Sequence, residues 1–229
     1  VKILIDADIV AYRCAAACEN EKVSMAIMNT NRSLAEIIMS VDHDDRFYDD
    51  WDLYLTGKTN FRFDVAVTAI YKGNRANKTK PRHLKDVREH MVKEWGAVIY
   101  EGYEADDAIT TEGQTLNGDC IIVSIDKDFK QFSGWHYNPV KREKFFVTPY
   151  EGMRFFYMQI LMGDSADNII GLDRVGPKTA EKMLKSCETE IDMYNVCMEA
   201  YQSEDRILEN ARLLWLRRTP NEMWTSPND

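Results

Sequence analysis

The sequence lacks any apolar run of membrane-spanning length; its apolar stretches, such as Cys120–Ile125, are the size of strands. The opening VKILIDAD lacks the basic, apolar, small-residue layout of an export signal and reads as a strand from its second residue. Repeats, low-complexity tracts and flexible linkers are missing too. The expectation is therefore a single compact domain over 1–229 with a helical C-terminal part. Cysteine is scarce and odd in number: five, at 14, 18, 120, 187 and 197, without a zinc-ligand pattern. Cys14 and Cys18 lie four apart in a helical stretch, so all five read as reduced core or near-core residues. That excludes a disulfide scaffold and favours the cytoplasm.

Positive charge is also short. The 29 Lys and Arg face 38 Asp and Glu, a net charge of −9, which taken as a total argues against nucleic acid. The charge is segregated, however. From Lys72 to Lys93 there are eight Lys/Arg and two acids, whereas acids gather in DADI, EADD, DKD and GDSADN. Bound divalent cations would cancel part of that second group.

What is present is strand–helix alternation. Lys2–Ile5 is a strand ending at Asp6, and helical spacing runs from Ile9 to about Met39. The acidic patch Asp42–Asp50 reads as a solvated loop before a second strand, WDLYLT (51–56). PRHLKDVREHMVKEW fits a helix with Pro81 near its start. AVIYEGY, a helix from about Ala105, and CIIVSI closing on Asp126 follow; WHYNPV and KFFVTP suggest a strand pair. Thr148 and Glu151 have capping-box spacing with Pro149 first in a helix, and Gly176–Pro177 opens another. The implied class is α/β, a mainly parallel sheet with helices on both faces.

In such a sheet ligands collect at the carboxyl ends of the strands. Asp6 ends the first strand, Glu104, Asp106 and Asp107 follow the third, and Asp126 and Asp128 end the fourth. Asp164 and Asp167 follow a helix and could close over the same edge. Any one of these pairs alone reads as a solvated turn or helix start. Eight converging carboxylates would repel and protonate unless cations were bound, and hard oxygen donors suit Mg²⁺ or Mn²⁺ with phosphate and water completing the shell.

In GLDRVGPKTA, Gly171 and Gly176 bracket a turn before a helix with Lys178 and Thr179 in its first turn. Glycine permits close approach of a phosphate, and the helix start favours an anion; Arg174 and Lys182 lie beside it. Such contacts read backbone rather than bases. Lys72 and Arg75 stand at the entrance of the basic stretch, which also holds Lys78, Lys80, Arg82 and Lys85, and Tyr71 is placed either to stack on a base or to pack.

Taken together, ILIDAD, YKGNR, YEADDAI, VSIDKDFKQF and MGDSADNIIGLDRVGPKTA resemble the 5′-nuclease superfamily of flap endonucleases, the nuclease domain of bacterial DNA polymerase I, and phage 5′→3′ exonucleases. IDKDFK and the late ARLLWL helix are most similar to the short-tailed-phage branch. The resemblance implies a basic helical arch over about 72–97 and a helix–three-turn–helix DNA-binding element over about 149–187. It implies a two-metal phosphodiesterase, with two Mg²⁺ or Mn²⁺, acting on DNA with a free 5′ end. Asp6, Glu104 and Asp106 match ligands of the first metal. Asp107, Asp126, Asp128, Asp164 and Asp167 match those around the second, and Lys72 and Arg75 match cations at the scissile phosphate. The glycine turn would hold K⁺ through main-chain carbonyls. A monomer in the cytoplasm (of a bacterial host, if phage-encoded) is implied, with replication proteins as further partners.

One departure stands out. The family pattern has an aspartate near the end of the second strand, where this chain reads Thr56-Gly57-Lys58. A metal site with one carboxylate fewer keeps open a catalytically weak or inactive branched-DNA-binding protein, and the shared carboxylate-and-sheet plan keeps open a second alternative, a PIN-type ribonuclease. The glycine hairpin speaks for duplex DNA against the second. A small-substrate phosphatase would leave that hairpin and the basic stretch unused.

Overall fold

The computed structural model describes residues 1–41, 50–75 and 78–228. The chain gathers into two compact units interleaved in sequence, where the sequence alone suggests one domain. The first comprises 1–60, 79–129 and 134–146, and the second 61–78, 130–133 and 147–229.

The first unit is built on strands β1 (Lys2–Asp6), β2 (Trp51–Asn60), β3 (Val98–Gly102), β4 (Cys120–Val123), β5 (Gly134–Asn138) and β6 (Glu143–Val147). Their order across the sheet is β3-β2-β1-β4-β5-β6. Pairing is parallel from β3 through β5. Ile3, Leu4 and Ile5 of β1 and all of β4 are buried, because helices cover both faces and leave no polar side to alternate with.

The helical spacing from Ile9 to Met39 resolves into two helices, α1 (Ala7–Ala17) and α2 (Val23–Val41). The polar run Glu19-Asn20-Glu21-Lys22 offers no apolar side chain to bury and becomes the turn between them. The acidic patch at 42–49 lies outside the described residues.

After β2 the chain forms a four-residue helix, α3 (Arg62–Val65), and then the basic helix α4 (Leu84–Trp95). α4 begins three residues beyond Pro81 and stops at Gly96, whose φ of 69° is a left-handed C-cap. Its apolar side chains Val87 and Met91, one turn apart, are fully buried in the core shared with α1 and α2. His90 and the Trp95 indole both reach Asn31 Oδ1 on α2, at 2.7 and 2.8 Å. The basic helix is thus packed along one face. α5 (Ala105–Thr115) completes this unit.

The second unit is mainly helical: α6 (Pro149–Met162), the short antiparallel pair β7 (Gly163–Asp164) and β8 (Ile169–Ile170), α7 (Pro177–Met183), α8 (Glu190–Tyr201) and α9 (Glu204–Leu214). The expected capping box forms, with Thr148 Oγ1 accepting from Glu151 N and Pro149 in the first turn of α6. Phe156, Tyr157, Ile160 and Leu161 of α6 bury against Met193 and Cys197 of α8 and Ile207 and Ala211 of α9. Gly163 and Gly171 sit where two backbones touch: a Cβ on Gly171 would lie 2.1 Å from Met162 C and 2.3 Å from Gly163 N. All five cysteines are unpaired and buried, and burial pushes the Cys120 and Cys197 thiols up to about 11 and about 12. Among the described residues no helix is long and apolar enough to cross a membrane.

Candidate metal and phosphate sites

Each unit carries its own part of the expected chemistry. In the first, Asp6 ends β1 and begins α1, and it is buried although it is a carboxylate. Ser124, just past β4, donates to Asp6 Oδ2 at 2.8 Å and accepts from Asp126 N at 3.0 Å. Asp128 N donates to Asp126 Oδ1 at 2.9 Å, so the two acids after β4 are locked in a turn. Burial pushes the Asp6 carboxyl up to about 7; the carboxylates of Asp8 and Asp126 push the same way, against the Ser124 hydrogen bond.

Glu104 and Asp107 form a reciprocal capping box at the start of α5, with Glu104 N donating to Asp107 Oδ2 at 3.2 Å. Asp107 is fully buried, Glu104 nearly so, and Asp106 is half-buried.

Thr56, at the position where a carboxylate is expected, ties three elements together. Its N–H donates to Asp8 Oδ2 at 2.7 Å, its hydroxyl accepts from Ala105 N at 3.0 Å, and its carbonyl accepts from Arg88 of α4. Arg88 also pairs with Asp8 Oδ1. Gly57 leaves no room for a side chain: a Cβ would stand 2.4 Å from Glu101 Cδ and 2.5 Å from Tyr100 O. Here the β2–β3 register shifts, and Lys58 N, Thr59 N and Thr59 Oγ1 all donate to Glu101 Oε2 at 2.8, 3.1 and 2.9 Å. These bonds hold the Glu101 carboxyl below its ordinary value. A bulge built around Glu101 thus occupies the stretch where the resemblance leads one to expect an aspartate.

Among the described residues no three His, Cys, Asp or Glu side chains converge closely enough to form a ready-made metal cage. The donor chemistry nonetheless fits a hard divalent cation, because Mg²⁺ takes one or two carboxylates and leaves its other positions to water and phosphate. Asp6 has Asp8 and Asp126 close enough to raise its pKa.

In the second unit the acid is Asp167, and it is surrounded by cations. Lys72 Nζ lies 3.6 Å from Asp167 Oδ2, Arg75 pairs with Oδ1, and the Tyr71 hydroxyl donates to Oδ2 at 2.9 Å. Three bonds to main-chain carbonyls fix the two segments together, one from the backbone and two from side chains: Lys72 N to Asp167 O at 2.8 Å, Asn74 Nδ2 to Ser165 O at 2.6 Å, and Arg75 Nε to Ala166 O at 2.9 Å. Asp164 is buried and accepts from Ala166 N at 2.7 Å. The Tyr71 ring is only 3% exposed and stands edge-on to Phe63, so it packs instead of facing a base.

The remaining basic candidates lie at the surface. Lys78, Lys80, Arg82 and Lys85 are exposed, with Lys85 paired to Glu89 at 3.6 Å. Arg174, Lys178, Thr179 and Lys182 are exposed around the start of α7. Gly176 caps that helix with open space at its Cβ position, while Gly171 serves the backbone crossing at Gly163. Sequence reasoning passed over Asp8, Arg88 and Ser124. The DxD spacing across the strand end was the signal for Asp8; Arg88 is one cation in a run of eight.

No protein-family model matches the chain. It is similar to DNA polymerase I of Lactococcus lactis subsp. cremoris, 31% identical over 187 residues, which cover 70% of this chain and 21% of the polymerase. The chain therefore spans about a fifth of the length of that relative. It is also similar to the flap endonuclease Xni of Shewanella sp. (strain W3-18-1), 27% identical over 201 residues, covering 82% of this chain and 75% of Xni. Among solved structures, the bacteriophage T5 D15 flap endonuclease in a complex with DNA and metal ions superposes with a TM-score of 0.69. That match has 18% identity and covers 93% of this chain and 88% of the phage protein, a likeness of fold. In sequence and in fold alike, the resemblance of this chain to the 5′-nuclease superfamily is borne out.

Proposed function

We propose that this protein is a divalent-metal-dependent nuclease that hydrolyses DNA phosphodiesters from a free 5′ end, as a 5′→3′ exonuclease or a 5′-flap endonuclease. The observation that carries this reading is Asp6: a buried carboxylate at a strand's carboxyl end, raised to about 7 beside two further carboxylates, is an arrangement that a divalent cation would relieve. The relatives' names give the chemical direction.

Two Mg²⁺ or Mn²⁺, when bound, would lower the pKa of an attacking water and stabilise the leaving 3′ oxygen. In the first unit Asp6, Glu104, Asp106, Asp107, Asp126 and Asp128 offer carboxylate oxygens; in the second Asp164 and Asp167 offer more. Ser124 orients Asp6, and Arg88 and Thr56 hold Asp8 next to it. Lys72 and Arg75 would share Asp167 with a phosphate and take up the negative charge that grows on it. Lys78, Lys80, Arg82, Lys85, Arg174, Lys178, Thr179 and Lys182 would meet the DNA backbone without reading sequence. K⁺ at the 171–176 turn, action as a monomer and a cytoplasmic setting complete this reading.

The glycine at 57, closed to any side chain, favours one second reading, a DNA-structure-binding protein without turnover. Cleavage of a labelled 5′-flap and a 5′-recessed duplex, with Mg²⁺ and with EDTA, separates the two. Mg²⁺-dependent release of short products from the 5′ end is expected. Tight binding with no cleavage in Mg²⁺ or Mn²⁺ would overturn the nuclease in favour of the binding protein.

A further inference from the structure

The ARLLWL motif closes α9, and nothing in the proposed cleavage chemistry uses it. In the second unit this helix grips the segment that carries Lys72 and Arg75 at two points. Arg62 is fully buried and donates from Nε to Leu213 O and from Nη2 to Trp215 O, each at 2.8 Å. These are carbonyls at the end of α9, which need donors from outside the helix. One turn earlier, the Glu209 carboxylate accepts from Val67 N at 2.7 Å, Thr68 N at 2.6 Å and Thr68 Oγ1 at 2.6 Å.

The same helix face reaches the other segment of the Asp167 cluster. Arg206 Nη1 pairs with Glu209 Oε2 at 2.6 Å and also bonds Thr68 Oγ1, while its Nη2 donates to Ile170 O at 2.9 Å. Asn210 Nδ2 donates to that carbonyl as well, at 2.9 Å. Burial pushes the Glu209 carboxyl up, but its bonds to Thr68 and Val67 and the charge of Arg206 outweigh this and hold it below the ordinary value.

What this grip holds is a strained turn. Lys72 has φ 55°, a left-handed conformation that a residue with a side chain keeps only when its surroundings impose it. The surroundings are Asp167 O, which accepts from Lys72 N, and Ile70 O, which accepts from Gly73 N and Asn168 Nδ2. Ile70 is two residues from the Thr68 amide that Glu209 holds.

We infer that Glu209 is a positioning residue: by fixing Val67 and Thr68 against α9, it sets the left-handed turn at Lys72 and so aims Lys72 at a phosphate. This rests on the role proposed above for Lys72. Small displacements of a positioned group cost up to about 100-fold in rate. E209Q keeps the size of the side chain but loses the charge and half of its acceptor capacity. It is expected to lower kcat on the 5′-flap substrate by about 10- to 100-fold, with KM little changed and with partial recovery in E209D.

A double-mutant cycle with K72A separates positioning from general stability. If Glu209 acts through Lys72, the double variant is no slower than K72A alone. Independent losses that multiply would overturn the inference. Hydrogen exchange of the Lys72, Gly73 and Arg75 amides tests the same link without any cleavage. Exchange faster by about tenfold or more in E209Q, with the β4 amides unchanged, supports it, and unchanged exchange overturns it. A wild type that binds DNA without cutting it would sink the nuclease reading, and the exchange result would still decide Glu209.

Discussion

Two aspartates, Asp6 in the first unit and Asp167 in the second, show how differently one residue type can be housed. Burial and two nearby carboxylates push the Asp6 carboxyl up to about 7, against the hydrogen bond from Ser124. Asp167 has Lys72, Arg75 and the Tyr71 hydroxyl around it. The first environment calls for a cation from outside the chain, whereas the second is neutralised by the chain's own cations and presents them beside an anion. The nuclease proposed above would need both devices, because phosphate is repelled by carboxylates and attracted by lysine and arginine.

The sharpest way to break this contrast is at Asp6. Asp6→Asn should lower Mg²⁺-dependent cleavage by more than about 100-fold, beyond what loss of an outer partner produces. A cleavage rate near wild type would remove Asp6 from the metal site. Lys72→Ala should slow the chemical step by about 10²–10³-fold while changing DNA affinity much less. Single-turnover rates and binding isotherms separate the two, and an effect on affinity alone would make Lys72 a docking residue. Ser124→Ala, which removes the hydrogen bonds to Asp6 and from Asp126 N, should cost about 10–100-fold in metal affinity or rate, read by Mg²⁺ titration of cleavage.

Stability sharpens the same comparison. A carboxyl raised to about 7 in the fold contributes stability that is fully present below the unfolded value near 3.8 and is lost as pH rises through about 7. Metal-free protein should therefore melt lower at pH 8 than at pH 5 through this group, and Asp6→Asn should flatten that slope. Equal slopes in the two proteins would show that Asp6 is not raised. The smallest expected effect is at the bulge: Gly57→Ala, which presses on Tyr100 O and Glu101, should destabilise by about 1–3 kcal/mol in chemical unfolding.

Much of this could be read in the sequence where a local rule coincided with the tertiary one. β1 and β4 read as continuous apolar runs ended by aspartate because both faces of the sheet are covered, and the Thr148–Glu151 box announces α6. The break between α1 and α2 was masked by apolar spacing that continues across the polar turn in register with both helices. Tyr71 left packing and stacking open, and its burial with the edge contact to Phe63 decides it. Thr56 read as the loss of a ligand. The bulge around Glu101, the pairing of Arg88 with Asp8, and the hold of Glu209 on Thr68 join residues far apart in the chain, which no spacing rule reports.

The most direct test of the acidic edge is calorimetric titration of Mg²⁺ into the wild type and into Asp6→Asn near pH 7. The wild type is expected to bind the ion with release of a proton, seen as a heat that varies with the ionisation enthalpy of the buffer, and Asp6→Asn is expected to lose both the binding and the proton. Wild-type binding that releases no proton, or binding by Asp6→Asn as tight as by the wild type, would contradict a cation site anchored on Asp6.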